Sequence, residues 1–254
     1  VIGLETSVAL AVQAGQLELN VTIEDASGKN IATSQKEITL KPGETRPVIS
    51  ELSITDPHLW NGRKDPYLYT AKVRLYRNGT QVDEVIQSLG IRSVAISQEQ
   101  GFLLNGQSYP IYGVNRHQEW HDQAWALTPK NHEEDAKLIL EMGTTAVRNA
   151  HYPQSQYWHE LADRNGLLLW DEVPLVEGVK ETPEFTACSR LEAAEMVHQL
   201  YNHPSIAWWG LFNELRKSLN PSVLLNQLKA DIKGIDATRI TVGASNLPDA
   251  PFAQ

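Results

Sequence analysis

The residues best placed for chemistry are an amide and a carboxylate, Asn213 and Glu214, which directly follow an uninterrupted apolar run. The run, residues 206–212, reads IAWWGLF and lacks the alternation of a half-exposed strand. It therefore predicts a strand covered on both faces, as in parallel α/β sheets. Side chains at the carboxyl ends of such strands commonly form active sites. The structural alternative is that Asn213 and Glu214 only cap the next turn.

Polar side chains follow three other predicted strands in the same way. They are Asn115, Arg116 and His117 after the first, Arg148, Asn149, His151 and Tyr152 after the second, and Asp171 and Glu172 after the third. This density of donors and acceptors favours a site for a carbohydrate or another polyol. Apolar faces for sugar packing would come from Trp120, Trp125, Trp208 and Trp209, although core packing is the commoner role of any single Trp.

Other chemistries fit the sequence less well. His117 and His121 lie four residues apart, but the Glu of HQEWH is misplaced for a zinc helix and the segment follows a strand. No G-x-S-x-G motif occurs, and Cys188 is the single cysteine. A carboxylate mechanism remains. Glycoside hydrolysis needs one carboxyl group to protonate the leaving oxygen and a second to attack or to activate water. Glu214 is the acid/base candidate, and Asn213 could hold a sugar 2-hydroxyl.

Composition bounds the class of protein. The 254 residues carry a net charge of −9, with a pI near 5.4 and no long basic run, which argues against a nucleic-acid or anionic-membrane surface. No apolar run is long enough to span a bilayer. A single cysteine excludes an internal disulfide. These features leave the compartment open.

Two successive patterns of predicted secondary structure indicate two domains. Residues 1–96 show short alternating segments separated by turns such as DASGKN and RNGT, which predicts an immunoglobulin-like β-sandwich without a disulfide. From residue 97 to 254, a hairpin is followed by strands that alternate with helices. Repeated βα units predict a parallel sheet, either doubly wound or closed into a barrel.

Helix boundaries can be read in several places. Thr128 followed by Pro129 predicts one helix start, Ser155 a second, and Pro221 a third. Between the last two, a helix is predicted with Leu191, Ala194, Val197 and Tyr201 on its inner face.

Four ordered runs resemble glycoside hydrolase family 2, and most of all its bacterial β-galactosidases. They are GVNRHQEW (113–120), AVRNAHYP (146–153), LLLWDEVP (167–174) and YNHPSIAWWGLFNEL (201–215), and the resemblance begins near residue 59. It implies an immunoglobulin-like domain followed by a TIM (β/α)8 barrel. It also implies that Glu214 is the general acid/base of a retaining mechanism and that Asn213 contacts the 2-hydroxyl. Arg148, His151 and His117 become residues that bind sugar or position the carboxylates.

The sequence also departs from the family pattern. The family's nucleophile is a second Glu at the end of the seventh barrel strand, and no Glu follows Glu214 here. Barrel strands six to eight and the usual sugar-binding jelly-roll domain are missing as well. Some members bind Mg2+ through a Glu and a His. Glu177 is the candidate for the Glu, but Val179 occupies the His position, so we expect no required cofactor.

We therefore expect a fragment of a retaining exo-β-glycosidase that holds the acid/base half of the site and lacks the nucleophile. The predicted substrates are terminal β-D-galactosides. The alternatives are a β-glucuronidase or β-mannosidase of the same family, or a non-catalytic sugar-binding module. A natural truncated product that needs a complementing piece is a further alternative. The sequence leaves open a homo-oligomer of the full-length protein.

Overall fold

The computed structural model describes residues 2–9, 15–180, 182–215 and 222–245. The chain divides into two compact units, which we name the sandwich unit (1–58 and 67–91) and the barrel unit (59–66 and 92–254). The division after Ile91 lies near the boundary expected from the sequence. The segment 59–66 was not expected in the second unit. It belongs there because Trp60 is fully buried and its Nε1 donates to the carbonyl oxygen of Asp163 at 2.9 Å.

The sandwich unit consists of two antiparallel sheets around one core. Its strands are β1 (Ile2–Ala9), β2 (Gly15–Glu24), β3 (Asn30–Leu40), β4 (Thr45–Leu52), β5 (Tyr69–Arg77) and β6 (Thr80–Leu89). β1 pairs with β4, and the other sheet has the order β3-β2-β5-β6. The alternation along β2 buries Leu19 and Val21, which share a core with Val8 and Leu52 of the two-stranded sheet. The predicted β-sandwich is confirmed.

The barrel unit begins with a small antiparallel sheet, β7 (Val94–Ser97), β8 (Gly101–Leu104) and β9 (Gln107–Ser108). Strands and helices then alternate: β10 (Gly113–Arg116), α1 (Pro129–Glu141), β11 (Ala146–Asn149), α2 (Gln156–Asn165), β12 (Leu168–Glu172), α3 (Pro183–Leu200), β13 (Ile206–Asn213), α4 (Ser222–Ile235) and β14 (Ile240–Ala244). β10 to β14 form one parallel sheet in chain order, which is the arrangement of a partial TIM barrel.

The helix boundaries follow local signals that the sequence carries. At the start of α1, the Asn131 Oδ1 atom accepts from the backbone N of Thr128 at 2.9 Å. At the start of α2, the Ser155 hydroxyl accepts from the backbone N of Tyr157 at 3.3 Å. Gly166 ends α2 with φ of 72°, and a Cβ there would lie 2.2 Å from the carbonyl oxygen of Gly62. Only glycine fits both the left-handed backbone and this close approach.

The predicted inner face of the third helix is partly wrong. α3 begins at Pro183, capped by Thr182, whose hydroxyl accepts from the backbone N of Phe185 at 3.2 Å. Its buried face is formed by Ala193, Met196, Val197 and Leu200, whereas Leu191 is exposed. These four buried positions have the i, i+3, i+4, i+7 spacing of one helix face, and Leu191 lies outside that face. The predicted helix start at Pro221 lies outside the described residues.

The core of the barrel unit lies between the parallel sheet and its helices. Every residue of β13 except Trp208 is buried, as predicted for a strand covered on both faces. The largest side chains of this core are Trp158, Trp209 and Phe212, all fully buried. No helix in the described ranges is long and apolar enough to cross a membrane.

Candidate active site

The polar strand ends meet at the carboxyl edge of the parallel sheet because the strands run in register. Arg148 pairs with Trp170 and Asn149 with Asp171, and Glu172 pairs with Gly210 on the next strand. Side chains alternate between the two faces of each strand. Adjacent polar residues therefore separate into two groups, one on each face of the sheet.

Glu172 is the centre of the first group and is fully buried. Arg148 donates to both of its carboxylate oxygens, from Nε to Oε1 at 2.7 Å and from Nη2 to Oε2 at 3.1 Å. The His151 Nδ1 atom lies 2.9 Å from Oε2. A bidentate pair of this kind fixes the plane of the guanidinium as well as neutralising the carboxylate. Arg148 also lies over the ring of Trp170, with Cζ 5.0 Å from the centroid.

Arg148 connects this carboxylate to the amide at the end of β13. Its Nη2 atom donates to Asn213 Oδ1 at 2.8 Å and lies 3.1 Å from His151 Nδ1. Nδ1 of His151 carries a proton if it donates to Glu172, and carries none if it accepts from Arg148. We name Arg148, His151, Glu172 and Asn213 the inner network. Its guanidinium and imidazole remain partly open, with side-chain exposures of 17% and 24%.

Glu214 directly follows the inner network and has an exposed side chain. Its backbone is left-handed, with φ of 51°, and its N–H donates to the carbonyl oxygen of Ala244 at 2.7 Å. On the other side, the N–H of Asn213 donates to the carbonyl oxygen of Leu175 at 2.8 Å. The neighbouring strand and loop thus hold both residues through their backbones, and the Glu214 carboxylate is left to face solvent.

Of the predicted site residues, Arg148 contacts both His151 and Asn213 directly. Glu214 is adjacent in the chain, and His117 joins through its ring, whose centroid lies 5.2 Å from that of His151 in an edge-to-face arrangement. The assignment of roles to these residues stays a prediction.

The sequence marks Glu172 as a polar strand end and at most a weak candidate for a cation ligand, and we did not predict it as a site residue, although it is the residue that organises the others. A signal was present in the sequence: Glu172 closes the strand LLLWDE and is followed by the apolar residues Val173 and Pro174. A carboxylate that is buried among apolar residues requires a cationic or hydrogen-bonding partner. Arg148 on the preceding strand is that partner.

A second, fully buried group lies on the other face of the same strands. Asp171 Oδ1 accepts from Asn149 Nδ2 at 3.0 Å and lies 3.0 Å from His159 Nε2. Asn149 Oδ1 in turn accepts from Trp158 Nε1 at 2.9 Å. Burial alone would lower the pKa of His159, but the charge and hydrogen bond of Asp171 outweigh it and raise that pKa above its ordinary value. We name Asn149, Trp158, His159 and Asp171 the outer network.

Gly210 allows β13 to approach the inner network closely. A Cβ at this position would lie 2.3 Å from Nε1 of Trp170 and 2.6 Å from Cγ of Glu172. Non-bonded atoms do not approach one another so closely, so any side chain at position 210 would displace Trp170 or Glu172. The glycine is therefore a spatial requirement of the buried carboxylate.

The residues present do not fit the Mg2+ site known in parts of the family. Val179, at the expected His position, is apolar and buried, and offers no ligand atom. His121 of the HQEWH segment is 94% exposed and pairs with Asp122. Among the described residues, no group of three or more His, Cys, Asp or Glu side chains could hold a metal ion. We derive no catalytic step through a metal.

Comparison with protein families decides the class of the chain. Residues 94–250 match the model described as glycosyl hydrolases family 2, TIM barrel domain, and residues 4–92 match the model described as glycosyl hydrolases family 2. The chain belongs to glycoside hydrolase family 2. The resemblance carried by the four sequence runs is thereby confirmed, as is the order of a β-sandwich before part of a TIM barrel.

Individual relatives carry two activity names. A β-glucuronidase of Bacteroides fragilis is 40% identical over 240 residues, which cover 91% of this chain and 34% of the relative. A β-galactosidase of Thermoanaerobacterium thermosulfurigenes is 28% identical, covering 95% of this chain and 33% of the relative. The crystal structure of a Bacteroides uniformis β-glucuronidase superposes with a TM-score of 0.90 and 32% identity, covering 95% of this chain and 31% of that one. The chain thus spans about a third of the length of these family 2 relatives.

Proposed function

We propose that this family 2 chain provides the acid/base half of the active site of a retaining β-glycosidase. The observation that carries the proposal is the position of Glu214. Its exposed carboxylate directly follows Asn213, whose Oδ1 is held by Arg148 at 2.8 Å. A proton donor that must reach a substrate has to be accessible, and the amide beside it has to be fixed in direction. Both conditions hold here.

In this mechanism Glu214 protonates the departing glycosidic oxygen and afterwards takes a proton from the water that releases the sugar. A second carboxylate, supplied from outside this chain, attacks the anomeric carbon, and the two carboxyl groups stand about 5 to 5.5 Å apart. Asn213 would donate its Nδ2 to the sugar 2-hydroxyl, because Oδ1 is already an acceptor for Arg148. Glu172 holds Arg148 and His151 in place, and His117 adds a polar ring on the outer side of His151.

For the substrate, we propose terminal β-D-glucuronides first and terminal β-D-galactosides second. The sequence motifs predicted galactosides, but the relative with 40% identity and the superposed Bacteroides uniformis structure are both named β-glucuronidases. The β-galactosidase relative with 28% identity keeps the second candidate open. Hydrolysis of two aryl glycosides with the same leaving group, one a glucuronide and one a galactoside, separates these candidates.

Replacement of Glu214 by Gln in a full-length enzyme that carries this sequence tests the acid/base role. General acid catalysis contributes about 100- to 10,000-fold, and most when the leaving group is a poor one. The kcat/KM of the variant should fall by a factor of this size for substrates with an alkyl or sugar leaving group. It should fall far less for a nitrophenyl glycoside, whose leaving group needs little protonation. An equal loss on both kinds of substrate would contradict the assignment. Glu195→Gln, which changes an exposed carboxylate on α3 away from the strand ends, is the matched control.

A further inference from the structure

Trp125 is a large aromatic side chain that the core does not use. It is 65% exposed, whereas Trp60, Trp158 and Trp209 are fully buried. Its ring centroid lies 5.2 Å from that of Tyr152, with 39° between the two planes. A single exposed apolar residue is ordinary, but an exposed indole that packs on a half-buried tyrosine beside a site marks a candidate binding surface.

The loop that carries Trp125 is held by its own hydrogen bonds. Trp120 and Ala124 exchange backbone hydrogen bonds of 3.1 and 3.0 Å, and the N–H of Leu127 donates to the carbonyl oxygen of Trp125 at 2.9 Å. The Trp120 Nε1 atom donates to Asp135 at 3.1 Å, which anchors the loop to α1. The exposed indole is therefore presented on a fixed backbone, which lowers the conformational entropy that a ligand must remove on binding.

Tyr152 is fixed as firmly from the opposite side. Its hydroxyl accepts from the backbone N of Gln118 at 3.1 Å, and the Gln118 side-chain oxygen accepts from the backbone N of Ser155 at 2.6 Å. Since the hydroxyl is engaged with the backbone, the ring face is what Tyr152 offers next to Trp125. The two rings already pack on each other, so a ligand can meet only their outer surface, an apolar wedge on which an aromatic ring can stack.

Ring contacts connect this wedge to the inner network. The His117 ring lies 6.5 Å from that of Tyr152 and 5.2 Å from that of His151, which contacts Glu172. The terminal sugar occupies the partly closed inner network in the proposed function. Whatever is attached to its anomeric oxygen must extend outward from there, past the loops at the strand ends. Through the His117 ring, these contacts place the wedge of Trp125 and Tyr152 beside the inner network, at the strand ends where such a path begins.

We propose that Trp125 and Tyr152 form a leaving-group subsite that takes an aromatic ring, so that aryl β-glycosides are the preferred substrate class. The proposal rests on the proposed function and deepens it. Stacking of one aromatic ring on another corresponds to about a three- to tenfold gain in binding. The gain should raise the kcat/KM of aryl substrates, and it should not depend on which sugar the enzyme recognises.

The test uses a full-length enzyme that carries this sequence and two glycosides of its preferred sugar. One has a chlorophenyl leaving group and the other a hexafluoroisopropyl group, because these alcohols are similar in acidity and only one is aromatic. We expect Trp125→Ala to lower the ratio of the two kcat/KM values, aryl over fluoroalkyl, about three- to tenfold. Trp125→Phe, which keeps a ring, should restore most of the ratio.

Met142→Ala is the matched control, since Met142 is 69% exposed and follows the C-terminal end of α1, away from the strand ends. It should leave the ratio unchanged. An unchanged ratio in Trp125→Ala, with hydrolysis still dependent on Glu214, would overturn the subsite and leave the proposed function intact. Failure of the unmodified enzyme to hydrolyse either glycoside would overturn both.

Discussion

Asp171 and Glu172 are neighbours on one strand, yet they serve two different regions of the barrel unit. Both carboxylates are fully buried and both contact a histidine, at 3.0 and 2.9 Å. The partner of Asp171, His159, is itself fully buried, whereas the partner of Glu172, His151, keeps 24% of its side chain exposed. The outer network is closed, and the inner network opens toward the edge of the sheet where Glu214 lies.

The difference follows from the alternation of side chains along β12. One face meets the helices, where a buried polar group needs hydrogen-bond partners; Asp171 has them at Oδ1, while its buried Oδ2 has none among the described residues. The other face points to the barrel interior, where Trp170 and Trp208 line a partly open cavity of about 420 Å³. A shift of one position along the strand thereby places two residues of similar chemistry in two different networks.

Among changes within the two networks, the largest effect is expected from Glu172→Gln, which should break the inner network without unfolding the chain. An amide cannot pair with both nitrogen atoms of Arg148 as a carboxylate does, so Arg148 and Asn213 lose their orientation. We expect kcat/KM of a full-length enzyme to fall by about 100-fold. The thermal unfolding of the variant should remain cooperative, which shows that it still folds. A loss of less than about threefold would mean that the inner network is not part of the active site.

Asp171→Asn should have the opposite pattern, with stability reduced and activity kept. It removes the charge that faces His159 and leaves a buried hydrogen-bond network partly unsatisfied, which costs about 2 kcal/mol of unfolding free energy. Urea denaturation measures this change. Activity per folded molecule should remain that of the unmodified enzyme, because the outer network faces away from the site. A large loss of activity with full stability would erase the distinction between the two networks.

Gly210→Ala should couple packing to the inner network. The added Cβ would meet Trp170 Nε1 and Glu172 Cγ at 2.3 and 2.6 Å, so one of the two must move. Overpacking of this kind costs about 1 to 2 kcal/mol. We expect reduced stability together with reduced activity. Gly234→Ala is the control, since a Cβ there meets no atom within 4 Å and should leave activity unchanged.

The outer network should also make stability depend on pH. The effect should be smaller than those of the substitutions, because titration removes only the charge of His159 and keeps its side chain. The folded-state pKa of His159 is raised, so the fold binds its proton more tightly than the unfolded chain does. This contribution is fully present below the unfolded pKa of about 6.5 and is lost as pH rises through the folded pKa. Urea denaturation from mildly acidic to mildly alkaline pH measures it. In His159→Gln this loss of stability with rising pH should be absent.

The smallest effect is expected from an exposed ion pair, Arg190 with Asp231, whose shortest contact is 2.6 Å. Arg190 is 47% exposed, and solvent screens such pairs. Arg190→Ala should lower the unfolding free energy by less than any of the changes in the buried networks. The value sets the baseline against which the buried networks are judged. A loss as large as that of Asp171→Asn would show that burial is not what separates these pairs.

Much of the fold was predictable from sequence because its signals are local. Thr128 with Pro129 marked one helix start, Ser155 marked another, and the apolar run of β13 marked a strand covered on both faces. The partners of buried charges were not predictable in this way. Arg148 and Glu172 are 24 residues apart, and only the parallel register of β11 and β12 brings them together.

The four tryptophans considered for sugar packing show the same limit. Trp209 is fully buried and donates from Nε1 to Asp236 at 2.8 Å, while Trp120 donates to Asp135. Trp208 lines the barrel cavity, and Trp125 is exposed. Residue type was the same in all four cases, so the sequence could predict the set but could not distinguish its members. Their environments depend on which strand face or loop each occupies.

The measurement that tests the account most directly is azide rescue of a Glu214→Gly variant of a full-length enzyme. Glycine fits the left-handed backbone at φ of 51°, so the change removes the carboxylate without straining the chain. If Glu214 is the acid/base, an aryl glycoside with a good leaving group should still form the glycosyl-enzyme, and azide should restore turnover and yield the β-glycosyl azide. No rescue, or an α-glycosyl azide, would contradict the proposed role of Glu214.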